Sequence, residues 1–445
     1  MLINPDYRKL WLGQLASQTG DFVFSTTLAL WIGTVLLAGR SYAPVAVSGL
    51  AVAVAMGTLL VGPPAGVFVD RWDRRRVMMG ADLVRAGLTG ALTAVAFLPD
   101  GTLPDGAVLT AVYTTVFLAT GAAQFFNPAR FALIGDVVEP GQRARAAGIG
   151  QATQAIATIA GPPLAAPLLF TVGARWALLL NAVSFLASFA AVRTVRPARP
   201  GVAGKVVPAD EVRDWRGEFT AGLRLVVRSR VVTALLVSVS LATVGTSALN
   251  SLNVFFVTQN LGVASRWYGT LEMALGFGLV AGALVAATVT DRLGASRVFS
   301  AGLVLTGLGV VVYSRLTGLG PALVVLVVVG LPLAGLNTAL TPVLLSSVPQ
   351  SHLGRVVAVL NPVQQLSALV GVSAAGWLAG TALHGLHAEV AGAHFGPIDS
   401  VFTSAGLLMV AGGGYAALAL RAARAEAAPA AERAATQNET ETPTP

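Results

Sequence analysis

Apolar residues fall in about twelve long runs, centred near residues 24, 55, 88, 119, 160, 183, 243, 279, 306, 331, 370 and 409. A hydrocarbon core about 30 Å thick is crossed by a helix of about 20 residues, and each run is of that order. Several runs hold Gly and Pro at a density that would break a water-exposed helix. Such residues are tolerated where neighbouring helices re-satisfy the backbone. The pattern predicts an all-α integral membrane protein of 12 transmembrane helices.

The polar segments between the runs repeat. GVFVDRWDRRRV at 66–77 and ATVTDRLGASRV at 287–298 carry the same Asp-Arg and Arg-Val pairs in one register. Residues 125–154 also align with 335–364 without a gap, setting Asn127 on Asn337, Arg145 on Arg355 and Gln154 on Gln364. Two halves that repeat charged hairpins between spans predict two pseudo-symmetric six-helix bundles, with a binding site near the midplane where they meet. The boundaries are a first bundle at 1–193, a cytoplasmic linker with an amphipathic helix at 194–230, a second bundle at 231–425 and a disordered cytoplasmic tail at 426–445.

Composition narrows the function classes. With 55% hydrophobic and only 11% charged residues, the chain does not read as a soluble enzyme. Cys is absent, so disulfides and thiolate metal sites are excluded. His352 stands apart from His384, His387 and His394, and these four do not resemble a metal cluster. The net charge of +8 is informative through its placement rather than as a sign of nucleic acid. Arg71, Arg74, Arg75, Arg76, Arg143, Arg145 and the basic run from Arg193 to Arg230 fall on one side. Arg40, Arg175, Arg266 and Arg315 fall on the other. The positive-inside rule then places both termini in the cytoplasm of a multi-pass inner-membrane protein. There is no Gly-rich phosphate loop, so the chain does not use ATP itself.

The loop Gly66-x3-Asp70-Arg71-x4-Arg76 and the six-plus-six layout resemble the major facilitator superfamily. Within it, the opening NPDYRKLWLGQLASQTGDFVFSTTLAL, DLVRA at 82–86 and FFNPAR at 125–130 are similar to the branch of drug-efflux proteins that holds macrolide-efflux proteins and the enterobactin exporter. Exporters of this superfamily often carry G-x3-G-P-x2-G-G in helix 5. Here the positions read Ala157, Gly161, Pro162, Ala165 and Ala166, which departs from that motif. The resemblance implies a transporter that moves its cargo by alternating access.

Several side chains are candidates on physical grounds. Asp70 and Asp291, with Arg71, Arg76 and Arg292, form a candidate latch that engages only when the cytoplasmic side is closed; Asp70 is expected to accept hydrogen bonds at the start of the next helix. Ionisable groups inside spans are costly and mark function by default. Asp21 lies on one helical face with Gln14, Ser17, Gln18 and Ser25 and is placed to exchange a proton between the two sides or to touch cargo. Glu272 is a second candidate for that role. Asp82 and Arg85, three residues apart, read as a structural pair, and Arg130 as an anchor near the cytoplasmic end. The substrate cavity is expected to draw on Gln14, Gln18, Gln151 and Gln154 from the first half and on Asn250, Asn253, Asn361 and Gln364 from the second. Phe22, Phe24, Phe255, Phe256 and Trp377 are candidates for its apolar walls.

One acid, several amides and no cation at depth suit a small amphipathic cargo. The leading expectation is a monomeric efflux transporter without cofactor or metal. Its partners are the lipid bilayer, protons moved in antiport and drug-like or self-made natural products, and it is no enzyme. An importer or facilitator on the same fold, and a non-transporting sensor or scaffold, remain as alternatives.

Overall fold

The computed structural model describes residues 3–69, 71–99, 101–195, 229–347, 353–383, 385, 388–390 and 393–440. Among the described residues, twelve long helices follow one another. The first half contains α1 (Pro5–Trp31), α2 (Ala43–Val69), α3 (Arg74–Ala96), α4 (Asp105–Val137), α5 (Arg143–Pro167) and α6 (Ala174–Thr194). The second contains α7 (Arg230–Phe255), α8 (Tyr268–Leu293), α9 (Ala295–Tyr313), α10 (Leu319–Ser347), α11 (Leu353–Trp377) and α12 (Pro397–Thr440). A short antiparallel hairpin, Ala388–Val390 with Ala393–Phe395, precedes α12.

Ten candidate spans among the described residues are long and apolar enough to cross a bilayer. The two helices outside that set are α3 and α11, which carry polar groups: Asp82 and Arg85 on the one, Gln364 and Gln365 on the other. A span rich in polar side chains is tolerated where protein or a cavity, rather than lipid, surrounds them.

Local chemistry sets the helix starts. Asn4 accepts a hydrogen bond from the Tyr7 amide at 2.7 Å to open α1, and Asp73 accepts one from the Arg76 amide at 2.8 Å to open α3. The expected cap of α3 was Asp70, which lies outside the described residues. Asp73 is the residue at N-cap spacing, three before Arg76. Four helices, α1, α5, α7 and α11, end in a five-residue π-helical turn at Ile32–Leu36, Leu168–Val172, Phe256–Asn260 and Leu378–Ala382. These are the helices paired by the internal repeat, α1 with α7 and α5 with α11, so the duplication reaches the backbone.

Small residues bring helices together within each half. A Cβ on Gly278 of α8 would meet Gly330 of α10 at 2.9 Å, and one on Gly307 of α9 would meet the Gly406 carbonyl of α12 at 2.6 Å. In a bilayer such close packing replaces the hydrophobic drive as the source of association.

Among the described residues the two halves share an apolar core at one end and keep separate cores at the other. We call the end where α1 and α7 begin the base, and the opposite end the crown. At the crown a single apolar core joins both halves, with Leu28 and Val47 from the first and Leu252, Phe255, Phe256 and Phe402 from the second. At the base each half keeps its own core: Tyr7, Leu10, Met78 and Leu133 in the first, Val232, Leu235, Phe299 and Val343 in the second. Crown contacts are intimate. Ser48 Oγ lies 2.7 Å from Ser251 Oγ, and α5 and α8 meet so closely that a Cβ on Gly269 would lie 2.5 Å from the Pro162 carbonyl. The molecule is therefore closed at the crown and parted at the base.

Residues 426–440 continue α12 as helix through Thr440, whereas disorder was expected of them. Their Ala, Glu and Arg content favours helix. The linker between the halves, apart from its ends, falls at 196–228, outside the described residues.

Candidate functional site

A cavity of about 600 Å³ opens in the first half, lined by residues of α1 to α6. Helix α1 supplies its polar wall. Gln14, Ser17, Gln18, Asp21 and Ser25, spaced at three and four residues, all line it, because a 3.6-residue period puts them on one face. Phe22 and Phe24 of α1, Phe126 and Phe131 of α4 and Phe185 of α6 add apolar surface. A second volume of about 300 Å³ continues towards the base between α1, α4 and α5, and shares Gln14, Gln18, Arg130, Phe131 and Gln154 with the first.

Asp21 is not a lone acid. Arg85 Nη2 of α3 donates to Asp21 Oδ2 at 2.6 Å, while Arg85 Nη1 stands 3.8 Å from Asp82 Oδ1. The nearer partner of Arg85 is thus on another helix, while the pair with Asp82 that the sequence suggested is also present, at longer range. The guanidinium carbon lies 3.9 Å from the Phe185 ring centroid, a cation–π placement that favours a desolvated cation. The Arg85 and Asp82 side chains are 7% and 0% exposed, against 40% for Asp21. Asp21 alone of the three presents much of its side chain to the cavity.

Arg130 also departs from expectation. It lines the cavity rather than anchoring the base, with Nη1 donating to Gln14 Oε1 at 2.7 Å and its guanidinium 4.9 Å from the Phe131 ring. Two cations therefore stand at depth where none was expected. Side chains lean towards the N-terminus of their own helix. Helix α4 runs from crown to base, so an arginine near its basal end reaches back towards the middle.

The second half contributes no lining residue to this cavity among the described residues. Asn253 is buried at the crown, donating from Nδ2 to Glu272 Oε1 at 3.0 Å and accepting from the Tyr313 hydroxyl at 2.8 Å. Phe256 packs beside this cluster, its ring 4.7 Å from Tyr313. Glu272 and Asn253 thus form a separate crown site. Asn250 is exposed and Gln364 half-buried, neither lining the cavity. The side chains of Gln151, Arg355 and Asn361 lie outside the described residues. A site lined evenly by both halves is not what this conformation holds, because parting at the base carries α7 and α11 away from α1. Phe255 and Phe256 are buried in the crown core and Trp377 is exposed, so these three do not wall the cavity.

Among the latch candidates, Arg71, Arg76, Asp291 and Arg292 are all exposed at the base, and no ion pair joins the halves among the described residues. Arg74, not singled out from the sequence, pairs with Asp136 of α4 at 2.6 Å, and Arg75 donates to the Val192 and Arg193 carbonyls of α6. These bonds fix the loop after α2 to its own half. The Asp73-x2-Arg76 spacing was a legible capping signal.

With this geometry established, comparison with known proteins places it. The family described as transmembrane secretion effector matches residues 2–442. The chain belongs to this family of major facilitator transporters. It is 26% identical over 318 residues to the MFS-type transporter YkuC of Bacillus subtilis, covering 69% of this chain and 71% of that one. It is 25% identical over 336 residues to macrolide efflux protein A of Streptococcus pyogenes, covering 73% and 80%. Among solved structures, a bacterial homologue of the iron transporter ferroportin in the inward-facing state superposes with a TM-score of 0.70 at 17% identity, over 92% of this chain and 98% of that one. The protein is thus a multi-pass membrane transporter with efflux-type relatives, and its partners are the bilayer and a small solute.

Proposed function

We propose that this transporter is a proton-driven exporter of amphipathic drugs or natural products, working as a monomer in the cytoplasmic membrane with both termini inside. The observation that carries the reading is the Asp21–Arg85 pair on a cavity that is parted at the base and closed at the crown. The base would face the cytoplasm, the side on which an exporter loads.

The pair suits exchange of proton for cargo. With the base open, ionised Asp21 holds Arg85 and keeps enough exposed surface to receive a donor or basic group from cargo. Once the halves rock and the crown opens, a proton from outside takes that place on Asp21. Its neutralisation loosens Arg85, and Asp82, 3.8 Å from Nη1, takes up the guanidinium without leaving a buried cation unpaired. One acid serving proton and cargo by turns makes the two fluxes exclusive, as antiport requires. The exposed Asp291, Arg71, Arg76 and Arg292, with Asp70, would meet when the base closes, holding the alternate state.

The test is cargo-triggered proton movement in proteoliposomes, with dyes, macrolides and siderophores as candidate cargo, comparing the unaltered chain with Asp21→Asn. Loss of cargo-dependent proton flux with binding retained is the expected result. Cargo movement without proton flux in the unaltered chain would replace the exporter with a facilitator or a sodium-driven carrier.

A further inference from the structure

Among the described residues, one cation of the cavity has no carboxylate paired with it. Arg74, Arg85 and Arg315 each have a carboxylate within reach, at 2.6, 2.6 and 3.7 Å. Arg130 has none among the described residues. Its one side-chain hydrogen bond goes to a neutral amide oxygen, Gln14 Oε1. That bond also takes up the acceptor of Gln14, and two N–H groups are left over: Arg130 Nε and Gln14 Nε2 are both buried with no partner. Gln14 itself is only 6% exposed. The cluster stands where the two cavity volumes join. Gln18, which lines the same two volumes, holds an unpartnered acceptor in Oε1, but a neutral one; what the cluster lacks is a negative acceptor to balance the charge.

From this we infer that Arg130 and Gln14 form a carboxylate-binding subsite and that the cargo is a zwitterionic amphiphile. A guanidinium offers a planar fork that matches a carboxylate bidentately, and the Gln14 amide adds a third donor beside it. The Phe131 ring against the guanidinium and Leu10, Trp11 and Ile134 in the lower volume supply an apolar bed for the rest of the molecule. At the other pole Asp21, seven residues further along α1, lies about 10 Å away at about 1.5 Å per residue. Its exposed carboxylate accepts from the ammonium or donor end. A cargo that spans both poles neutralises Arg130 and still competes with the proton at Asp21, so an acidic group on the cargo is compatible with antiport. A purely structural tie between α4 and α1 would need only a neutral donor opposite Gln14; a cation at that depth without a counter-ion is costly.

The inference rests on the proposed function only in taking this cavity as the cargo site, and binding tests it without any gradient. The full chain in lipid nanodiscs is titrated with Nα-dansyl-lysine, which carries a carboxylate and a side-chain ammonium, and with Nα-dansyl-lysinamide, which lacks the carboxylate. The acid is expected to bind about 10- to 150-fold more tightly than the amide, the span given by a hydrogen bond to a charged group. Arg130→Met abolishes that preference, Arg130→Lys keeps part of it, and Gln14→Leu lowers it while leaving the cation in place, which covers the case of a misfolded Arg130 variant. Equal affinities for the two probes, a preference that survives Arg130→Met, or no saturable binding of the acid would each overturn the subsite. None of those results touches the export reading, which stands or falls on proton flux in proteoliposomes.

Discussion

Gly269 offers a way to move the conformational equilibrium by one methyl group. It sits in the first turn of α8 where that helix meets α5 at the crown. A Cβ there would lie 2.5 Å from the Pro162 carbonyl oxygen and 2.6 Å from Pro163 Cα. Both are backbone atoms, and neither can rotate aside. The contact joins the two halves and is made only while the crown is closed, so Gly269→Ala penalises this state and leaves a crown-open state untouched. Overpacking of this kind costs about 1–3 kcal/mol, which corresponds to a shift of about 5- to 150-fold between the states. The chain has no cysteine, so Gln142→Cys and Leu293→Cys, exposed at the base in opposite halves, can carry spin labels without background. Pulsed dipolar spectroscopy should show the long-distance population of the unaltered chain giving way to a shorter one in Gly269→Ala. Gly148→Ala, whose Cβ would meet nothing within 4 Å, is the control and should leave the distribution alone. An unchanged distribution in a well-folded Gly269→Ala would refute the argument that this contact belongs to one state.

Three further outcomes are expected. Ser48→Ala loses the hydrogen bond to Ser251 across the crown, worth about 0.5–1.5 kcal/mol; the same labels should report a shift in the same direction as Gly269→Ala, of about two- to tenfold. Arg85→Met leaves two carboxylates near one another without their cation and should lower thermal stability in detergent by about 1–3 kcal/mol, discounted from a fully buried pair because Asp21 is part-exposed; adding Asp21→Asn should recover part of the loss, and a strictly additive double variant would count against the pairing. Deleting 426–445 should leave dye efflux from cells unchanged, whereas a marked fall would favour a tail that recruits partners over a transporter that works alone.

The architecture was legible because a membrane restricts the options. Twelve apolar runs admit little but helices, and a hairpin repeated around Asp70 and Asp291 admits little but two related halves. The repeat further implied that α1 and α7, and α5 and α11, should resemble one another, and their shared π-helical ends agree with it. Conformational state was not legible. A repeat gives the same account of both halves whichever end is closed, and only the shared crown core beside two separate basal cores breaks the tie. For the same reason, amides placed symmetrically from the sequence ended up unevenly: Gln14, Gln18 and Gln154 line a cavity, while Asn253 is sealed against Glu272.

Within the site, what could be read was whatever depends on one helix. The stripe from Gln14 to Ser25 follows from periodicity alone, and so did the choice of Asp21 as the acid that faces the cavity. What depends on two helices could not be read. The Asp82/Arg85 spacing of three made a local pair the natural reading, yet the guanidinium is long enough to cross to α1, and Phe185 on α6 offers it a face on the way. Arg130 shows the same limit in depth rather than in partner. Helix α4 runs 33 residues, about 50 Å at about 1.5 Å per residue, well beyond a hydrocarbon core of about 30 Å. Distance from the helix end therefore does not measure distance from the midplane. The direction in which a side chain leans decides the rest: Arg130 points back along α4 towards the crown, Gln14 back along α1 towards the base, and opposite helix directions bring the two together. An arginine near the end of a span that enters from the crown thus reaches inward, while one near the start of a span that enters from the base leans out towards water. That asymmetry separates Arg130 from Arg74, Arg75 and Arg76, which stand at the start of α3.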